Sequence, residues 1–202
     1  MKIKYTYLLL ESDTTRHSFV HNMVRQYPII DVYPAINARN SKDLAYVYQT
    51  LKDNNIKIAS NRDPSSYSNP VDKKTLESKM TIYVSYMKLL ENYMTYDYVV
   101  ILQDDAYFLK NNFEKDIEQL ISSGYINKIP SARLGQYMSG TIYSRYFLSK
   151  YLLELKKTGI VKPLDHYLAG LDSSTQLMRP FKKKMVEVKN FRSNIYGDRR
   201  YT

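Results

Sequence analysis

Cysteine and tryptophan are both absent from the 202-residue chain. Without cysteine the protein forms no disulfide and no thiolate metal site, so a bound metal would be held by carboxylate, histidine or water. The chain also contains no Asn-x-Ser/Thr glycosylation sequence and no apolar run long enough to span a bilayer. The apolar N-terminus lacks a small-residue cleavage site, so we expect a cytoplasmic protein without a signal peptide.

Basic residues outnumber acidic ones by 30 to 20, which gives a formal net charge of +10. This excess favours phosphorylated or polyanionic partners. The chain has neither an aromatic–basic interleaved motif nor a helix-turn-helix signature, so we expect no specific nucleic-acid partner. Tyrosine is abundant, with 21 residues, and its rings are suited to pack against the apolar faces of sugars.

Strand-like and helix-like segments alternate from the N-terminus. Ile3–Leu10 is predicted to be a strand, Arg16–Tyr27 a helix and Ile29–Tyr33 a second strand. This rhythm predicts an α/β fold with a mostly parallel central sheet flanked by helices. We expect one domain over residues 1–202, in which the polar and basic segment 189–202 is an irregular tail.

The remaining elements follow from periodicity and from turn residues. Helices are predicted at Asp43–Lys52, with Ser41 as the N-cap, at Lys73–Asn92, from Asn111 or Asn112 to Ser123, and at Ser144–Lys157. Two hairpin strands are predicted at Ser131–Leu134 and Met138–Tyr143, and a short strand at Met185–Val188.

The most informative stretch is a buried strand that ends in two acids. Tyr98–Leu102 is aliphatic without a polar break, which is typical of a strand covered on both faces. Asp104 and Asp105 follow it directly. Two carboxylates at the end of a buried strand need a positive partner, and a divalent cation is the simplest candidate. The alternative is a solvated acidic turn in which Asp105 caps the next helix.

Short motifs before and after this strand occur in a characteristic order. They are Tyr7–Leu10 leading to Arg16, the aromatic-Pro-Ala element in Val32–Asn37, Ser85, Leu102–Asp105, Gly140–Ser144, Pro163–Asp165 and Ser193–Ile195. As an ordered set covering nearly the whole chain, they resemble glycosyltransferase family 25, which includes lipooligosaccharide-type and procollagen-type sugar transferases.

The resemblance implies a GT-A-like fold and an inverting, metal-dependent transfer. The sugar would move from a nucleotide-diphosphate sugar, in particular a UDP-sugar, to a glycan or protein-linked acceptor. It implies Mn²⁺ or Mg²⁺ bound by Asp105, with Asp104 as a second ligand or a ribose contact. It places Arg16, Ser85 and Gln103 near the donor. For Arg16 the alternative is an ion pair with Asp13, and for Ser85 close helix packing.

Inversion also needs a general base beside the acceptor hydroxyl. The Pro-x-Asp match makes Asp165 the candidate, and the adjacent His166 is an alternative base. Asp165 is equally suited to cap the short segment that follows it.

The chain departs from the family pattern at two positions in particular. Tyr86 stands where the family has a histidine, and Gln103 stands where it has the first acid of the acidic motif. These departures motivate a second hypothesis, in which a catalytically weakened relative binds sugars or nucleotides or acts as a scaffold. A homodimer is compatible with the sequence under either hypothesis.

Overall fold

The computed structural model describes residues 1–58, 73–124, 131–135, 139–160, 179–180 and 184–189. Its strands are β1 (Ile3–Leu9), β2 (Ile30–Pro34), β3 (Tyr98–Gln103), β4 (Ala106–Phe108), β5 (Ser131–Arg133), β6 (Gly140–Ser144), β7 (Arg179–Pro180) and β8 (Val186–Val188). Its helices are α1 (Thr14–Gln26), α2 (Ser41–Asp53), α3 (Lys73–Asn92), α4 (Phe113–Ser122) and α5 (Arg145–Thr158).

Six strands form the central sheet in the order β2-β1-β3-β6-β5-β7. Strands β2, β1 and β3 pair in parallel, whereas β3, β6 and β5 pair antiparallel and β7 is parallel to β5. Strands β4 and β8 form a separate two-stranded ribbon. The predicted α/β class is therefore confirmed. The sheet is mixed because β6 runs antiparallel to both of its neighbours, β3 and β5.

Strand β3 is buried on both faces, which explains its continuous apolar run. Val99 and Ile101 belong to the hydrophobic core beneath α2, α3 and α5. Val100 and Leu102 belong to a second core, which α1, α4 and the β4–β8 ribbon cover. The alternation of side chains along β3 thus assigns each residue to one of two helical layers.

Most helix boundaries agree with the sequence patterns to within two residues. The N-cap of α1 is Asp13, whose carboxylate accepts from the backbone N–H groups of Thr15 and Arg16. The predicted cap of α2 is wrong by one position. Asn40 occupies the N-cap and accepts from two backbone N–H groups, while Ser41 is the first helical residue. Asn is as good a cap as Ser, so composition alone does not separate them.

Several expectations fall beyond the part of the chain that the structure describes. The segment that begins at Pro163, the first residue of the predicted strand, Met138, and the tail from residue 190 onwards lie outside the described ranges. Within those ranges, none of the helices combines the length and the apolar character needed to cross a bilayer.

Two helices end at glycines with positive φ. Gly124 follows α4 with φ +73°, and Gly159 follows α5 with φ +72°. A Cβ at Gly124 would meet nothing within 4 Å, whereas one at Gly159 would collide with the backbone carbonyl oxygen of Lys57. That oxygen accepts from the N–H of Ile160 at 2.8 Å, so it is not free to move away.

Alanine substitution at these two glycines compares the effect of backbone strain alone, at Gly124, with that of strain and steric collision together, at Gly159. We expect Gly124→Ala to lower the free energy of unfolding by about 1 kcal/mol through the φ preference alone. Gly159→Ala is expected to cost at least ~2 kcal/mol, because the collision adds to the same strain. Urea titration of both variants measures the difference, and equal losses would contradict the close approach at Gly159.

Candidate active site

The carboxyl ends of β1 and β3 lie side by side at a reversal of strand order. From β1 the chain passes through α1 to β2 on one side, while β3 lies on the other side of β1. In open α/β sheets, ligands bind in the crevice at such a point. The turn after β3 contains Asp104 and Asp105, and the turn after β1 leads into the first turn of α1, where Arg16 lies.

Arg16 joins these two turns. Its Nη1 atom donates to Oδ1 of Asp104 and lies 3.3 Å from Oδ2 of Asp105. Its Nε atom lies 3.5 Å from Oδ2 of Asp13, the cap of the same helix. The side chain of Arg16 is only 9% exposed. The guanidinium is therefore held between three carboxylates, two of which come from the far side of the β1–β3 crevice.

Backbone contacts from three elements hold the acidic turn in place. The N–H of Leu10 donates to the carboxylate of Asp104. The hydroxyl of Tyr7 on β1 donates to the carbonyl of Ala106 at 2.7 Å. The N–H of Lys189, just after β8, donates to the carbonyl of Asp105 at 2.7 Å. The turn is thus a preorganised structure rather than a solvated loop.

Burial dominates the electrostatics of the pair. It raises the pKa of Asp104 above the usual carboxyl range, and the charge and hydrogen bond of Arg16 oppose that rise. Burial likewise raises the pKa of Asp105, again against the charge of Arg16. Because Asp104 is buried and β4 follows Asp105 directly, the alternative of a solvated, helix-capping turn is wrong. Arg16 supplies the positive charge that the carboxylates require.

One oxygen of the pair is left without a hydrogen bond from the described residues. Oδ1 of Asp105 is buried and accepts no hydrogen bond from the described residues. Among those residues, no three histidine, aspartate or glutamate side chains form a group that could hold a metal. Magnesium at nucleotide sites commonly uses only one or two carboxylates, together with phosphate oxygens and water. The pair therefore fits a cation that arrives with a diphosphate, not one held by protein ligands alone.

Gln103 lies next to the pair but on the other face of the sheet. It is the last residue of β3, pairs with Leu8 of β1 and is partly buried. Its side chain is on the α3 face, because side chains alternate and Asp104 meets Arg16 on the α1 face. Its N–H donates to the carbonyl of Ser139 at 2.9 Å. Gln103 therefore does not join the Arg16 cluster.

Ser85 is buried on α3 and connects that helix to the segment after β2. Its hydroxyl accepts from the N–H of Ile36 at 2.9 Å and donates to the carbonyl of Thr81 at 2.7 Å. The structure therefore gives Ser85 a packing and positioning contact. Asp165, the predicted general base, lies outside the described residues.

The contacts of Tyr7 and Lys189 with the acidic turn were not predicted. Tyr7 is separated from Ala106 by 99 residues, and no local pattern indicates such a pair. No family model and no curated protein matches the chain. The resemblance to glycosyltransferase family 25 therefore stays a hypothesis.

The Arg16 bridge generates a pH-dependent prediction. Replacing Arg16 by Met leaves two buried carboxylates without their cation, which is expected to cost about 3 kcal/mol at pH 7.5. A folded-state pKa that lies above the unfolded value means that stability is highest at low pH and falls as the pH rises through the folded pKa. The deficit of Arg16→Met should therefore shrink as the pH is lowered towards 5.

Urea titrations at several pH values measure this deficit. Lys88→Met is the matched control, because Lys88 pairs with Glu91 at 3.0 Å near the surface, where both side chains are about one-third exposed. It should cost less than ~1 kcal/mol. A deficit in Arg16→Met that is small, or that grows on acidification, would contradict the bridge.

Ser85→Ala tests the role that the structure assigns to this hydroxyl. The change leaves the N–H of Ile36 without its acceptor and is expected to cost roughly 1–3 kcal/mol in unfolding free energy. Ser122 makes a similar bond to the carbonyl of Glu118 at an exposed position, so Ser122→Ala should be nearly neutral. If Ser85→Ala is equally neutral, the hydroxyl does not hold the segment after β2.

Proposed function

We propose that the chain is an inverting, metal-dependent glycosyltransferase of the family 25 type. Its donor would be a nucleotide-diphosphate sugar, in particular a UDP-sugar, and its acceptor a glycan or a protein-linked acceptor. One observation carries the proposal: the buried pair of Asp104 and Asp105, held by Arg16, lies in the crevice between β1 and β3. That crevice is where α/β sheets of this kind bind nucleotides.

The charge of the cluster suits a diphosphate with its counter-ion. Arg16 and the three carboxylates around it, those of Asp13, Asp104 and Asp105, sum to two negative charges when all three acids are ionised. A divalent cation would neutralise that charge, so that the cluster no longer repels an anionic donor. Bound Mn²⁺ or Mg²⁺ supplies charge neutralisation for a diphosphate leaving group. Asp105 would hold it through the buried Oδ1, while Asp104 remains on Arg16.

The chain's own residues then have distinct roles in this proposal. Arg16 orients both carboxylates, and the Leu10 N–H fixes Asp104, so the metal-facing oxygen is positioned before the donor binds. Asp165 would take the proton from the acceptor hydroxyl as it attacks the anomeric carbon. The bond from that carbon to the diphosphate breaks on the opposite face, which inverts the configuration.

A second candidate function has its own support. Arg16 already contacts both carboxylates and so offsets part of their charge without a metal. Tyr86 of α3, at the family's histidine position, has no imidazole. Its side chain is 2% exposed and packs in the core, so it is not presented to a ligand. Both observations favour a relative that binds a sugar or nucleotide without transferring it.

Thermal shift with nucleotide-sugars tests the proposal. We expect a UDP-sugar with Mn²⁺ to raise the melting temperature of the wild type more than either component alone. Asp105→Asn should abolish the added shift, because the amide removes the charge of the metal-facing group. Asp53→Asn, at an exposed position on α2, is the control and should keep it.

A panel of uridine, guanosine and cytidine diphosphate sugars covers the donor classes. No shift with any donor would overturn the proposal. Release of nucleoside diphosphate that is lost in Asp165→Asn supports a transferase. A metal-dependent shift without any turnover favours the binding protein instead.

A further inference from the structure

A second arginine with a buried Nε atom, Arg133, differs from Arg16 in its lack of an ion pair with any described residue. Arg133, the last residue of β5, is partly buried, and its Nε atom is inaccessible to solvent with no hydrogen-bond partner among the described residues. It takes part in none of the ion pairs between described residues. Burying an N–H group without a hydrogen bond is costly.

Arg145 shows how the same side chain behaves nearby at the surface. Its guanidinium is 51% exposed, yet it donates to the carbonyls of Thr95 and Tyr96 and to the carboxylate of Asp97. The exposed arginine has several protein partners, whereas Arg133 has none among the described residues. A charge kept in such surroundings at a cost to stability is typical of a residue that serves a ligand.

The strand register determines the face on which Arg133 lies. Its neighbours Ala132 and Leu134 pack into the core that α1 and α4 cover. By alternation, the side chain of Arg133 is on the opposite face, with α3 and α5. It pairs directly with Thr141 of β6, and Ser131 shares this face. A guanidinium and two hydroxyl-bearing residues thus occur on adjacent strands where an apolar face would be expected.

This arrangement is separate from the acidic crevice. Strand β5 is two positions away from β3 in the sheet, which is roughly 10 Å. Asp104 meets Arg16 on the α1 face, whereas Arg133 is on the other face. An anion at Arg133 is therefore not one that a cation at Asp105 would bind.

We propose that Arg133 is the recognition residue of an oxyanion-binding site on the α3 and α5 face of β5 and β6. A guanidinium binds phosphate and carboxylate groups through two parallel N–H donors. The net charge of +10 would further favour an anionic ligand. In the proposed transferase, the anion is a phosphate or carboxylate of the sugar acceptor; this last assignment alone rests on the proposed function.

Two properties of Arg133→Met test the site. Without ligand, the variant should melt at a higher temperature than the wild type, because an uncompensated cation is replaced by an apolar chain of similar length. Inorganic phosphate, exchanged for sodium chloride at constant ionic strength, should stabilise the wild type. At ten times its dissociation constant we expect a rise of roughly 3–5 °C. Arg133→Met should lose this rise.

Arg145→Met is the matched control and should keep the phosphate effect, because Arg145 is occupied by protein partners. Arg133→Lys keeps the charge but not the paired donors, so a reduced phosphate shift in it supports the site even if the Met variant folds poorly. If Arg133→Met melts lower and responds to phosphate like the wild type, Arg133 is structural and the proposal is overturned.

Glucose 6-phosphate and glucuronate, used as probes, separate a phosphate ligand from a carboxylate one. The phosphate shift should persist in Asp105→Asn, because the two sites lie on opposite faces. If no nucleotide-sugar raises the melting temperature but phosphate raises it in an Arg133-dependent way, the transferase proposal is overturned and the anion site stands. If a nucleotide-sugar raises the melting temperature but phosphate has no Arg133-dependent effect, only the anion site is overturned.

Discussion

The contact of Arg16 with Asp104 and Asp105 is the interaction on which the arrangement of the crevice depends. It joins the start of α1 to the end of β3 across 88 residues of chain. Without it, two carboxylates would be buried beside each other at the end of an apolar strand. Asp13 orients the guanidinium from within its own helix. The bridge therefore holds α1 against the sheet and keeps the acids at the mouth of the crevice.

A buried ion pair of this kind contributes little net stability. Apolar residues of similar volume often match or exceed a buried ion pair, because desolvation offsets much of the attraction. Arg133 lacks even the attraction, because it takes part in none of the ion pairs between described residues. Both arginines are at the sheet and not at the free surface. The position of Arg16 is better explained by the acidic turn that it holds than by the stability it contributes.

Much of the architecture could be predicted from local patterns. The apolar run of β3, the long amphipathic α3 and the glycine at the end of α5 each carry a signal within a few residues, and each lies where it was expected. Local sequence patterns indicated the mixed strand directions of the sheet less clearly. The β5–β6 hairpin was predicted, but its antiparallel position beside β3 depends on which strand it reaches across the fold.

By itself, the sequence determined that two acids would end a strand buried on both faces, because an unbroken aliphatic run has few other places in an α/β protein. It also determined that these acids would require a positive partner. Only the tertiary structure decided that the partner is Arg16 and that Gln103 faces the other layer. It also decided that the Nε atom of Arg133 is buried without a hydrogen-bond partner among the described residues. The reason is physical: strand order and register bring together residues far apart in the chain, and no local pattern encodes that proximity.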